Sequence, residues 1–330
     1  MARDMMAKFE LFQPAKLEDA LKLLDRYDED AWTMAGGNDS LSWFKDRVKR
    51  PKAVVDITGI TALEGIRAQA DGGVEIGALT TLTEVEHHPL IREKFRLLAD
   101  AAGRVASPQI RNTGTIGGNV SQDTRCWYYR YGLDCYRAGG KTCYSDTPEG
   151  MNREHALFGA DRCVAVSPSD TAPAFVALDA SMVVRGKKGE RVVKADDFFI
   201  GPKTDIERMT VLEPGDILTA IRIPATWAGA KFYFEKVADR MTWDFALVNV
   251  AAAMKVDNGV IKGIRIACGG VECVPRRLKV VEQVVTGSPQ NADTAGLAGK
   301  SAIRGAKPLN YNHFKIPLME NLVKRAIRDA

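Results

Sequence analysis

"RNTGTIGGNVSQD", residues 111–123, sets Gly114, Gly117 and Gly118 close together between an amphipathic helical stretch and a cysteine-rich one. Glycine has no Cβ, so a backbone built this way can approach a ligand closely, and successive N–H groups can cradle a phosphate. A second turn of the same kind, "AGGNDS" (35–40), follows a short apolar segment near the start of the chain. Neither is a G-x-G-x-x-G fingerprint. "GLAGKS" (296–301) falls short of a P-loop because Thr294 stands where that motif needs its first glycine. Taken singly, each turn reads as an ordinary turn, so the fold depends on what surrounds the pair.

Around them the chain alternates helix and strand. "KLEDALKLLDRYDE" (16–29) has helical apolar spacing, "AVVDITGI" (53–60) reads as a strand, and "GVEIGALTTLTEVEHH" (73–88) as strand, turn and helix. "LIREKFRLLADAAGRV" (90–105) is amphipathic. Residues 171–199 predict a helix and then a hairpin turning at Gly186–Gly189, and 215–225 a further strand. Beyond a boundary at Pro224–Gly229, "GAKFYFEKVA" and a pair of strands joined at Asn258-Gly259 precede helices at 275–286, 292–303 and 314–328.

The bulk numbers exclude several classes. In 330 residues, 45% are hydrophobic and 27% charged, an ordinary globular balance, and a net charge of +4 argues for neither nucleic acid nor an anionic membrane. No apolar run reaches the roughly 18 residues of a membrane span. "MARDMMAKFELFQP" (1–14) carries no apolar export signal, so a cytoplasmic setting is expected. In a reducing compartment, clustered cysteines are more often metal ligands or catalytic thiols than disulfides.

Such a cluster is present. Cys126, Cys135, Cys143 and Cys163 are spaced C-x8-C-x7-C-x19-C through a loop-rich, aromatic segment. Four thiolates suit a zinc ion or a [4Fe–4S] cluster, and the spacing alone decides neither that nor a set of unrelated buried thiols. Cys268 and Cys273 read as structural, and His155 as a surface-loop histidine. No Ser/His/Asp set or paired-carboxylate signature stands out, so no catalytic residue is assigned.

Six blocks in order give a resemblance: "AGGNDS", "IGALTTLTEVE" (76–86), "RNTGTIGGN", "SPSDTAPAFVALDA" (167–180), "LEPGDILTAIRIP" (212–224) and "KVADRMTWDFALVNVAAA" (236–253). The chain resembles the FAD-carrying medium subunit of molybdenum hydroxylases, the xanthine dehydrogenase superfamily. The implied fold is α+β: an FAD-binding domain of the vanillyl-alcohol oxidase and p-cresol methylhydroxylase type over residues 1–225, in two subdomains, and a C-terminal α+β domain of the CO dehydrogenase flavoprotein type over 226–330. The resemblance assigns FAD contacts to Ala35, Gly36, Gly37, Asn38, Asp39 and Ser40, to Thr115, Ile116, Gly117, Gly118 and Asn119, and to Asp170, Leu218 and Lys236. Leu218 would face the ring, and Lys236 would stabilise negative charge on a reduced flavin. Asn38 and Ser40 depart from the threonine and leucine of many relatives, which puts the detailed contacts in question. Arg240 and Asp244 are expected to form a structural ion pair near the flavin.

Most such subunits lack the cysteine-rich insertion at about 122–166. A minority, including 4-hydroxybenzoyl-CoA reductase and certain bacterial aldehyde oxidoreductases, carry one that binds a [4Fe–4S] cluster. By that resemblance Cys126, Cys135, Cys143 and Cys163 hold iron, with Trp127, Tyr128, Tyr129, Tyr136 and Tyr144 excluding water. The expected function is electron transfer through FAD and a [4Fe–4S] cluster, between a small [2Fe–2S] subunit and an external carrier such as ferredoxin. Chemistry on an aldehyde, an aromatic acyl-CoA or an N-heterocycle would occur on a large molybdenum-cofactor subunit. The alternatives are a stand-alone flavin dehydrogenase and a zinc-stabilised binding protein.

Overall fold

A computed structural model of the protein describes residues 6–330. The first five residues, part of the stretch read for an export signal, lie outside the described residues. Three sheets organise the chain. The first is parallel, with strands β1 (Glu10–Phe12), β2 (Ala31–Met34) and β3 (Ala53–Asp56) in the order β1-β3-β2. The central strand reads Ala-Val-Val because both its faces are covered, and Ala53, Val54 and Val55 are fully buried. Helix Leu17–Tyr27 connects β1 to β2, burying Ala20 and Leu24. Its Glu18 and Asp19 lie in the first turn and Arg26 in the last, which suits the helix dipole.

The second sheet is antiparallel: β4 (Ile66–Ala68), β5 (Val74–Gly77), β6 (Ser181–Gly186), β7 (Gly189–Lys194) and β8 (Ile217–Ile223), in the order β4-β5-β8-β6-β7. The long excursion between β5 and β6 holds the helices that follow β5, the 111–123 turn and the cysteine segment. It begins at a capping box: Thr81 Oγ1 accepts from the Glu84 N–H, and Glu84 accepts from the Thr81 N–H at 2.8 Å.

The third sheet contains β9 (Lys231–Val237), β10 (Val248–Asp257), β11 (Val260–Gly269) and β12 (Arg276–Arg277) in the order β12-β11-β10-β9. Asn258 (φ 49°) and Gly259 (φ 75°) make the tight β10–β11 turn, a conformation that Asn-Gly adopts at low cost. Side-chain alternation gives β10 two packing roles. Val248, Val250, Ala252 and Met254 join the core under the C-terminal helices, whereas Ala251 and Ala253 join the core shared with the second sheet. Helices Lys279–Val285, Ala292–Ala302 and Lys315–Asp329 cover the first of these faces.

Two expectations change. Residues 90–105 form two helices, Pro89–Lys94 and Arg96–Gly103. Phe95 breaks them apart at φ −136°, fully buried, and the Gly229 N–H donates to the Lys94 carbonyl freed by the break. The segment 275–286 starts as strand β12, not helix, before Lys279–Val285. Among the described residues no helix is long and apolar enough to cross a membrane.

Candidate functional site

The two glycine turns meet. A Cβ on Gly36 would lie 2.0 Å from the Thr113 carbonyl oxygen, and one on Gly117 2.7 Å from the Ala78 Cβ. Contacts this close are open only to glycine, so the 35–40, 78–82 and 113–119 segments press backbone against backbone. Asn38 fastens the contact, its Nδ2 donating to Thr113 Oγ1 at 3.1 Å. Ser40 Oγ accepts from Trp32 Nε1 at 2.9 Å. The two departures noted in the sequence therefore serve the wall of the site, one holding the neighbouring turn and the other the strand before it.

Between these segments opens a cavity of about 420 Å³, within the range of small-molecule and cofactor sites. All of the residues expected to contact a flavin line it except Ile116 and Lys236. Ile116 is fully buried in the core behind the turn. Thr115 caps the short helix Ile116–Val120 by accepting from the Gly118 N–H at 3.1 Å. Leu218, from β8, and Ile57 and Leu79 supply apolar wall, while Asp39, Asp170 and Asp216 are acidic.

Lys236 has a different task from the one expected. Its Nζ donates to Asp170 Oδ2 at 2.6 Å and to the carbonyls of Asp244 (2.7 Å) and Arg104 (3.0 Å), which uses all three of its donors. Both side chains of the ion pair are 4% exposed. Asn249 Nδ2 completes the carboxylate's contacts at 3.0 Å. Burial pushes the Asp170 carboxyl up, against the stabilisation that Lys236 and Asn249 give its charged form. Lys236 thus holds the floor of the cavity through Asp170 and does not itself face the cavity.

Several wall residues carry no sequence signal. Trp243 sits at the edge with φ 56°, rare for a bulky side chain, and its N–H donates to the Ala106 carbonyl at 2.8 Å. Arg125 lies over the Phe245 ring at 4.9 Å. Arg125 and Arg130 both bind Asp39 Oδ1, at 2.9 and 2.6 Å, and the Arg130 guanidinium lies 3.3 Å from the Trp43 ring centre. These arginines flank Cys126, so the cysteine segment is tied to the first glycine turn by one shared carboxylate. Arg240 and Asp244 do approach each other, at 3.9 Å.

The cysteine segment folds behind this wall. Cys126, Cys135, Cys143 and Cys163 all line one small cavity, walled also by Tyr128, Tyr129, Tyr136 and Tyr144. Trp127 departs from expectation. It does not line this cavity but borders the neighbouring one, 49% exposed and stacked on Tyr131 at 5.7 Å. Burial pushes the Cys143 thiol up and that of Cys163 to about 12. Among the described residues, no three Cys, His, Asp or Glu side chains converge on one point as a single metal ion requires. Four soft thiols around one cavity are a donor set that either zinc or an iron–sulfur cluster can use.

His155 is not on the surface. It is 4% exposed, with Nε2 3.0 Å from Ser145 Oγ and 3.4 Å from Cys126 Sγ. Burial and then the charge of Lys315 push its imidazole down to about 4. Lys315, itself fully buried, donates to the carbonyls of Glu154 (3.1 Å), His155 (2.9 Å) and Gly270. Cys268 and Cys273 are buried and do not line this cavity, although Cys273 lies near Cys163 across Arg137; burial pushes their thiols up to about 12 and about 11.

Comparison with known proteins decides the family. Residues 7–226 match the FAD binding domain in molybdopterin dehydrogenase, and 233–330 the CO dehydrogenase flavoprotein C-terminal domain. The chain belongs to the FAD-binding medium subunits of the molybdenum hydroxylase family. It is 32% identical over 302 residues to the aldehyde oxidoreductase FAD-binding subunit PaoB of Escherichia coli, covering 90% of each chain. It is 32% identical over 291 residues to the nicotinate dehydrogenase FAD-subunit of Eubacterium barkeri, covering 88% of this chain and 83% of that one. Its fold matches a solved carbon monoxide dehydrogenase from Hydrogenophaga pseudoflava with a TM-score of 0.77 and 28% identity, covering 98% of this chain and 97% of the other. The mixed α/β architecture, an FAD-binding domain followed by a C-terminal domain, is that of carbon monoxide dehydrogenase medium chains. The chain is an FAD-binding subunit of an oxidoreductase complex.

Proposed function

We propose that this medium subunit carries electrons between its FAD and a [4Fe–4S] cluster held by Cys126, Cys135, Cys143 and Cys163. In this reading it works with a large molybdenum-cofactor subunit and a small [2Fe–2S] subunit. Its complex acts on an aldehyde, on the similarity to the aldehyde oxidoreductase subunit. The observation that carries the reading is adjacency. Arg125 lines the cavity between the glycine turns, its chain neighbour Cys126 lines the cysteine cavity, and both line the small cavity between the two.

FAD would lie along the 35–40 and 115–119 turns, whose glycines admit its pyrophosphate without side-chain obstruction. Leu218 would give an apolar surface to the ring, and Asp170, fixed by Lys236, a hydrogen-bond acceptor. A flavin accepts two electrons together or singly, which is the chemistry the cofactor supplies when bound. The chain's residues orient it, keep water from the ring and hold the cysteines behind it. An external one-electron carrier, ferredoxin among the candidates, would complete the circuit.

Anaerobic purification of the full chain, followed by flavin, iron and sulfide analysis, tests the reading. One FAD with four irons and four sulfides per chain is the expected result. FAD with zinc, or with no metal, would leave the flavin assignment standing and end the cluster assignment. In an iron-replete chain, Cys143→Ala should lose iron and keep much of the FAD, whereas Cys268→Ala should keep both.

A further inference from the structure

Among the four cluster-lining cysteines, Cys126 is the one whose sulfur meets a hydrogen-bonding pair of buried side chains. Ser145 Oγ stands 3.4 Å from Cys126 Sγ, and His155 Nε2 stands 3.4 Å from the same sulfur and 3.0 Å from the serine oxygen. Ser145 is 1% exposed, so water does not compete for these contacts.

The direction of the hydrogen bonds follows from the surroundings. His155 Nδ1 is buried and has no hydrogen-bond partner among the described residues. A proton placed there would be an unsatisfied buried donor, so we assign it to Nε2, which points at Ser145 and Cys126. With Nε2–H donating to the serine oxygen, the serine hydroxyl is free to donate to the sulfur.

The pair is held rigidly. Asn152 Nδ2 donates to the Ser145 carbonyl at 3.0 Å, and the His155 carbonyl accepts from Asn312 Nδ2 at 3.0 Å and from Lys315. The C-terminal domain thus fixes the donors, and the insertion supplies the sulfur. Cys126 also borders an intermediate cavity whose wall includes Asp170 and Phe245, both shared with the flavin cavity. It is therefore the cluster cysteine on the flavin side.

We infer that Ser145 and His155 set the reduction potential of the cluster through the flavin-side sulfur of Cys126. The inference rests on the cluster reading proposed above. Reduction puts negative charge on the sulfurs, and a donor aimed at one of them stabilises the reduced form more than the oxidised form. Removing the donor makes the cluster harder to reduce. Neither residue touches the flavin or ligates iron; both act as positioning residues through Cys126.

The test is a redox titration of the full chain, purified without oxygen and followed by the electron paramagnetic resonance of the reduced cluster, with iron counted in each variant. Ser145→Ala should keep its iron and shift the reduction equilibrium about tenfold toward the oxidised form, equal to about 59 mV for one electron. Ser145→Thr, which restores a hydroxyl, should return most of the shift, and His155→Gln, which keeps an N–H donor, should shift less than His155→Phe. Full iron with an unchanged potential in both Ser145→Ala and His155→Phe overturns the inference and leaves the cluster intact. Loss of iron in both, with retention in the conservative variants, also overturns it by making the pair structural. An unmodified chain without iron and sulfide overturns the cluster reading and the inference together.

Discussion

Replacing Lys236 by methionine tests how the floor of the flavin cavity is held. The change leaves Asp170 with Asn249 as its hydrogen-bond partner and leaves the Arg104 and Asp244 carbonyls without the ammonium they now accept from. Removing one partner of a buried ion pair costs about 3–5 kcal/mol, chiefly because the remaining charge is buried and uncompensated. The cost should depend on pH. In an unfolded chain Asp170 ionises near 3.9. In the folded protein burial already pushes its carboxyl upward, and without the lysine it moves further up. Between those two values the unfolded chain has released the proton and the folded chain has kept it, so stability falls as pH rises. Urea unfolding of the flavin-free variant should therefore show a small penalty near about pH 4 and the full about 3–5 kcal/mol near neutrality. The double variant Lys236→Met with Asp170→Asn removes both charges and should be more stable at neutral pH than the lysine change alone. A pH-independent penalty below about 1 kcal/mol, with no recovery in the double variant, would refute the reasoning, since it would mean that the pair is neither buried nor coupled.

Gly36→Ala places a methyl group 2.0 Å from the Thr113 carbonyl; the turns must separate, and FAD content after purification should drop by well over half with the chain still folded by circular dichroism. Gly296, in helix Ala292–Ala302, has nothing within 4 Å of an added Cβ, so Gly296→Ala should raise stability by about 1 kcal/mol in urea unfolding and leave FAD content unchanged. Cys268, fully buried with its thiol pushed up to about 12, should resist alkylation in the native protein and react only on denaturation, as judged by mass spectrometry.

Local chemistry made much of the fold legible. Asn258-Gly259 fixed a hairpin because few other dipeptides tolerate two positive φ angles. The apolar spacing of 17–27 marked a helix whose buried Ala20 and Leu24 lie one turn apart. The glycine turns marked the residues that line the main cavity, and Gly36 and Gly117 are also where one turn presses against another segment's backbone. What stayed hidden depended on partners far away in sequence. The break at Phe95 is capped by Gly229, and Asp39 is shared by Arg125 and Arg130. His155 is buried because the C-terminal domain closes over it, with Asn312 and Lys315 bonding to its carbonyl. Lys236 looked like a cavity cation, and only the fold brings three acceptors to its ammonium. A histidine in a polar loop and a lysine in a strand have no local pattern that separates these outcomes from solvent exposure.

The position of the insertion follows from the same contacts. A long loop without regular secondary structure does not order itself, because each fixed residue costs about 1–2 kcal/mol of backbone entropy. Contacts to elements on both sides anchor this one. Arg125 and Arg130 bind Asp39 in the first glycine turn, Tyr129 packs on the buried Trp43 at 5.2 Å, and Lys315 and Asn312 bind the backbone at 154–156. The contacts to Asp39 and Trp43 belong to the FAD-binding domain and those from Asn312 and Lys315 to the C-terminal domain. The segment therefore sits at the seam where both halves are needed to define it, and Arg125 and Cys126 become a shared partition, the first lining the cavity between the glycine turns and the second the cysteine cavity. Anchors of this kind explain how a loop-rich insertion is held in register with the flavin turn, since displacing Cys126 would also break the paired arginine contacts to Asp39. A change at Asp39 should accordingly disturb both sides of the partition, whereas a change at exposed Tyr131, which lines none of these cavities, should disturb neither.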